Sequence, residues 1–128
     1  MKDAFSPDSL REYGDGDIIF REGEASFEMY VVQSGTVVVS KAGVELAHLT
    51  RGDFLGEMSL LESLPRSATV TALGPARLLC IQPGGFLLKI RRDPTFAFEL
   101  LQSLSRRIRQ ANERGLEELR AFLEKDAA

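Results

Sequence analysis

Residues 54–70 read FLGEMSLLESLPRSATV and place Glu57 near one end and Arg66 near the other. Gly56 permits a tight turn out of the preceding apolar strand, and GEMSLLES is long enough for two helical turns. The first amides of a helix have no intrahelical partner and carry partial positive charge, so such a start accepts a phosphate. Pro65 steers the residue before it away from helical angles, ending the helix and delivering Arg66 close to those amides. A guanidinium there can fork onto two phosphate oxygens. Glu57 would repel a phosphate, but a carboxylate accepts hydrogen bonds from a sugar hydroxyl. A small ligand offering one negative charge beside a free ribose hydroxyl is a cyclic nucleotide. The competing reading is an ion pair between Glu57 and Arg66 with no ligand at all.

The elements around this segment are mostly strands. From Asp17 to Gln82, short β runs alternate with turn residues: DIIF, then MYVVQSGTVVVS as two strands hinged near Ser34-Gly35, then VELAHL. After the 54–70 segment, SATVTAL and ARLLCIQ flank a turn at Gly74-Pro75. Strands at this spacing predict an all-β sandwich or roll over about residues 13–83. After Pro83 the period changes to three and four, with Phe98, Leu101, Leu104, Ile108 and Ala111, then Leu116, Leu119 and Phe122 or Leu123. That stripe predicts one amphipathic helix or two in tandem over about 84–126. Pro94 suits a first helical turn with Asp93 as its N-cap, and Gly115 interrupts the pattern as a possible hinge.

Composition sets outer limits. The chain has 128 residues, 44% of them hydrophobic, enough for a single domain with a real core. Net charge is −3, which gives no general attraction to nucleic acid. The arginine cluster 106, 107 and 109 reads as a solvated helix face. No apolar run approaches the roughly 20 residues that span a bilayer. The single cysteine, Cys80, lies in the apolar run LLCI and reads as a buried thiol, fitting a reducing, cytoplasmic location.

The segment GEMSLLESLPRSATV resembles the phosphate-binding cassette of cyclic nucleotide-binding domains. These occur in catabolite-activator-type regulators, cyclic-nucleotide-gated channels and regulatory subunits of cyclic-AMP-dependent kinase. GDIIFREGEASFEMYVVQSGTVVV is similar to the family's first strands, and the likeness runs from about Tyr13 to Arg109, nearest to bacterial members. It implies an α+β, mainly β fold: an antiparallel jelly-roll-like β-roll of about eight strands, a short phosphate-binding helix and C-terminal helices. It implies that Arg66, with backbone amides at Ser59 and Ser67, binds the phosphate, and that Glu57 with the amide of Gly56 binds the ribose. Leu55, Ala47 and Val39 are candidates to wall the base, or are ordinary core. Ser67, next to the arginine, favours cyclic AMP, with cyclic GMP as the alternative. The C-terminal helix is then expected to act as a lid or signal output, toward a protein effector or second subunit.

Other functions fit less well. Cupin-like enzymes share the roll but hold a metal with several histidines, and this chain has His48 alone. No nucleophile sits beside a base, so neither catalysis nor a metal or cofactor is expected. The family's DNA-binding members add a helix-turn-helix after the long helix, for which the residues before Ala128 leave no room, so no direct nucleic-acid binding is expected. A fold-preserving, non-binding interaction module is the remaining alternative.

Overall fold

The computed structural model describes residues 8–127. Two strands organise the β portion: β3 (Met29–Lys41) and β6 (Thr69–Ile81), each 13 residues long. In β6, Val70, Ala72, Ala76, Leu78 and Cys80 are buried, the period-two signature of a strand with one face in the core. The two pair antiparallel from Met29↔Ile81 to Ser40↔Thr69. Each takes different partners at its two ends. β6 pairs β2 (Ile18–Phe20) near Val70 and β1 (Asp8–Tyr13) from Ala76 to Ile81. β3 pairs β5 (Phe54–Leu55) at Tyr30 and Val31, and β4 (Val44–Leu49) from Val37 to Lys41. The result is one long two-stranded ribbon, flanked by different strands along its two halves.

The ribbon bends in its middle. The register shifts between Val32 and Ser34 and again between Ser34 and Thr36. Gly35 sits there with φ +83°, and an added Cβ would run into the Pro75 carbonyl and lie 2.8 Å from Ala76 Cα. Glycine is required both for its backbone angle and for the close approach of β6. The bend explains the strand count. The expected breaks at Ser34-Gly35 and Gly74-Pro75 are kinks within continuous strands, so eight expected strands are six among the described residues, two of them folded over. The core packs within this ribbon around Phe20, Tyr30, Val32, Val37, Leu55, Val70 and Leu78.

Strand pairing begins at Asp8, ahead of the boundary expected at Tyr13. β1 gives little apolar signal because it is held by main-chain pairing with β6, and its Leu10 is exposed. Between β5 and β6 lies α1 (Glu57–Glu62), six residues long. It ends at Ser63, whose φ of 56° is left-handed, two residues before Pro65. A serine in that region is uncommon, and the Ser63 amide compensates by donating to the Ser59 carbonyl at 3.0 Å.

The helices that follow are two. α2 (Pro83–Arg92) opens on proline at its first position. Asp93 breaks it, held at non-helical angles (φ −135°, ψ 81°) ahead of Pro94. α3 (Pro94–Ala127) runs without interruption through Gly115, so that glycine is a weak point in a continuous helix rather than a break. The chain divides into two compact units at this boundary, one ending at Asp93 and one starting at Pro94. Within α3, Phe98, Leu101, Ile108, Leu116, Leu119, Phe122 and Leu123 are exposed. No helix of the described residues is long and apolar enough to cross a membrane.

Gly35→Ala tests the bend. The substitution is expected to destabilise the protein by about 1–3 kcal/mol, from left-handed strain and the clash with β6. Urea unfolding reads this directly, and an unchanged midpoint would show that the ribbon tolerates a Cβ at its kink.

Candidate functional site

β5 delivers the chain into α1 through Gly56, whose φ of +79° makes it the N-cap. A Cβ there would come within 2.7 Å of Arg66 Nη1 and 2.8 Å of the Glu28 carbonyl, so the turn and the guanidinium are fitted to each other. The helix then buries Glu57, 3% exposed, and Ser59, 4% exposed, while Met58 stays outside. Glu57 occupies the first turn, where a helix start favours a carboxylate.

Arg66 is buried as well, with 3% of its surface exposed. Its main chain pairs with the loop before β3: the Gly23 amide donates to the Arg66 carbonyl at 2.8 Å, and the Arg66 amide to the Glu24 carbonyl at 2.9 Å. Its side chain turns inward. Nε donates to Ser26 Oγ at 2.9 Å, Nη1 to the Gly56 carbonyl at 3.1 Å and Nη2 to the Glu28 carbonyl at 2.7 Å. Nη2 also lies 3.4 Å from Glu28 Oε2. The guanidinium rests 4.0 Å from the centre of the Phe20 ring, close enough for cation–π attraction. Burial pulls its pKa below the ordinary arginine value, opposed by Tyr30, Glu28 and Glu24. So large a set of partners is what a buried cation demands.

The wall behind Arg66 is aromatic and polar. Phe20 and Tyr30 meet at a centroid distance of 6.1 Å. Arg11 donates to the Tyr30 hydroxyl at 3.3 Å. Burial raises the Tyr30 phenol well above its usual range, with Cys80 and Tyr13 adding to the effect, so the phenol stays neutral. Cys80 is fully buried, and burial raises its thiol too.

The sequence-derived residues therefore fall into three groups. Gly56 and Arg66 are in direct contact, and Glu57 and Ser59 lie buried on the helix that Gly56 opens. Ser67 follows Arg66 and is exposed. Leu55 belongs to the hydrophobic core, Val39 packs against it, and Ala47 is exposed on β4 directly opposite Val39. A carboxylate within ion-pair distance of Arg66 is that of Glu28. Ser26, Glu28 and Phe20 were not found by sequence reasoning. They stand 40, 38 and 46 positions from Arg66, and only strand pairing brings them together. His48 lies 3.3 Å from Glu45 on the exposed edge of β4. Among the described residues no three His, Cys, Asp or Glu side chains are grouped to hold a metal.

Arg66→Leu removes the side-chain donor from the Glu28 carbonyl and leaves the Gly56 carbonyl with the Leu60 amide, which donates to it at 3.3 Å. The variant is expected to lose about 1–3 kcal/mol of stability with no ligand present, measured by chemical denaturation. Wild-type stability in this variant would mean that water or neighbouring groups replace the guanidinium at no cost.

The family model described as the cyclic nucleotide-binding domain matches residues 10–93. The cyclic AMP receptor protein of Thermus thermophilus is 38% identical over 107 residues, covering 80% of this chain and 50% of that protein. The cAMP-dependent protein kinase regulatory subunit of Debaryomyces hansenii is 43% identical over 79 residues, covering 61% of this chain and 18% of that protein. The crystal structure of the Thermus thermophilus catabolite activator protein superimposes with a TM-score of 0.75 at 36% identity, covering 87% of this chain and 55% of that one. The chain thus spans half or less of the length of these two curated relatives. Its mainly β architecture is the jelly-roll arrangement of that structural neighbour. With β2 to β6, the α1 segment and the buried Arg66 all inside the matched region, the chain belongs to the cyclic nucleotide-binding domain family.

Proposed function

We propose that this chain is a noncatalytic sensor module that binds cyclic AMP at the segment Gly56–Ser67. The observation that carries the reading is Arg66. A guanidinium is held inside the roll, against the carbonyl of the glycine that starts α1, with Glu57 buried one residue further on. In this reading Arg66 and the amides of Ser59 and Ser67 receive the cyclic phosphate, and Glu57 with the amide of Gly56 receives the ribose hydroxyl. Ala47, Val39 and Leu55 line the base. Cyclic AMP, rather than cyclic GMP, is supported by the names of the two relatives and by Ser67 beside the arginine. The output is noncovalent, through α3, whose exposed leucines and Phe122 offer an apolar face to a protein effector or second subunit. Direct nucleic-acid binding is not part of the proposal.

A second reading has one observation in its favour: Arg66 already has internal partners at every nitrogen. Such an arginine would serve as a structural staple in a domain that keeps the fold without the ligand.

Isothermal titration separates the two. Wild-type protein is expected to bind cyclic AMP more tightly than cyclic GMP. Arg66→Lys keeps the charge but loses the fork, and is expected to cost on the order of 1.5–3 kcal/mol in binding, roughly tenfold or more in affinity. Glu57→Gln is expected to weaken binding in the same direction. No heat with either nucleotide would favour the staple.

A further inference from the structure

A guanidinium has five N–H donors. In Arg66, Nε is taken by Ser26 Oγ at 2.9 Å and one Nη1 hydrogen by the Gly56 carbonyl at 3.1 Å. Nη2 faces both the Glu28 carbonyl at 2.7 Å and Glu28 Oε2 at 3.4 Å. Among the described residues, one Nη1 hydrogen is left over. A bidentate grip on a phosphate needs two adjacent N–H groups aimed at one anion. With these partners in place, no side of the Arg66 guanidinium offers two.

The partners differ in how readily they yield. Gly56 is fixed by the turn into α1, and the Glu28 carbonyl belongs to the chain entering β3. The Glu28 carboxylate makes the longest of the four contacts, and its side chain is 26% exposed while that of Arg66 is 1% exposed. It is also the only anion among them. A phosphate reaching Arg66 must come close to this carboxylate, and two negative charges on one guanidinium repel each other.

We propose that Glu28 is an internal anion that occupies Arg66 in the ligand-free protein and sets nucleotide affinity by competing with the phosphate. When the carboxylate swings to solvent, one Nη2 hydrogen joins the leftover Nη1 hydrogen, and the pair forms the missing fork. The bonds to Ser26, Gly56 and the Glu28 carbonyl keep the guanidinium in place throughout. The same carboxylate thus stabilises the empty protein and opposes the filled one. This rests on the site reading above.

Glu28→Gln keeps the main-chain bond and removes the charge. Two measurements on the whole chain test it: thermal unfolding without ligand, and titration with cyclic AMP. The expected result has opposite signs, a lower Tm for free protein and binding tighter by about threefold to tenfold. A residue that only braced Arg66 would weaken both. Glu22→Gln, on the same exposed loop, controls for the general loss of negative charge and is expected to change affinity by less than about twofold. If wild type binds and Glu28→Gln binds equally or more weakly, the competition is overturned while the site assignment stands. Equal tightening by Glu22→Gln also overturns it. Binding by Glu28→Gln but not by wild type would be the same competition at its limit. Silence from both proteins would overturn the competition and the site together.

Discussion

A cation inside a protein cannot be left to itself. Taking a guanidinium out of water costs far more than a single hydrogen bond returns, so its donors must be matched by fixed acceptors. Arg66 meets that demand with acceptors from two separate parts of the chain: the turn into α1 and the stretch Ser26–Glu28 that leads into β3. The Phe20 ring of β2 covers it. Those segments have to arrive together for the charge to be tolerable, so the guanidinium ties α1 to the start of β3. Gly56 is part of the same constraint, because any side chain there would occupy the space of Arg66 Nη1.

The long ribbon makes this convergence possible. Tyr30 pairs with Leu55 on one side and Cys80 on the other, so β5 and α1 are carried on the first half of β3. Val39 and Ala47 belong to the other half, beyond the bend at Gly35. Leu55 and Val39, both considered for the base, are therefore placed by opposite ends of one strand. The bend is what allows a single strand to serve both.

Much of this was readable in the sequence, and what was missed was missed for definite reasons. Strand periodicity located β2, β3, β4 and β6, because burial of one face writes itself into the residue pattern. The kinks at Gly35 and Gly74-Pro75 looked like strand ends, since glycine and proline mark turns and bends alike. β1 carries no such pattern, being held by backbone pairing. Glu57 and Arg66 stood out as charges flanking a short apolar segment. Their burial did not, because two of the residues that accept from Arg66, Ser26 and Glu28, lie about forty positions away in the loop before β3. Phe20 was legible as a strand residue and its contact with a cation was not. Local chemistry is written locally, whereas the partners of a buried charge are fixed only by strand register.

The central claim is that the buried guanidinium of Arg66 is itself what grips the ligand. Nitrogen-detected NMR of arginine side chains, followed through a cyclic AMP titration, tests it most directly. The account predicts that the Arg66 Nε and Nη signals shift and saturate together with the bound fraction. Signals that hold their free-state positions while the protein becomes fully occupied would contradict it.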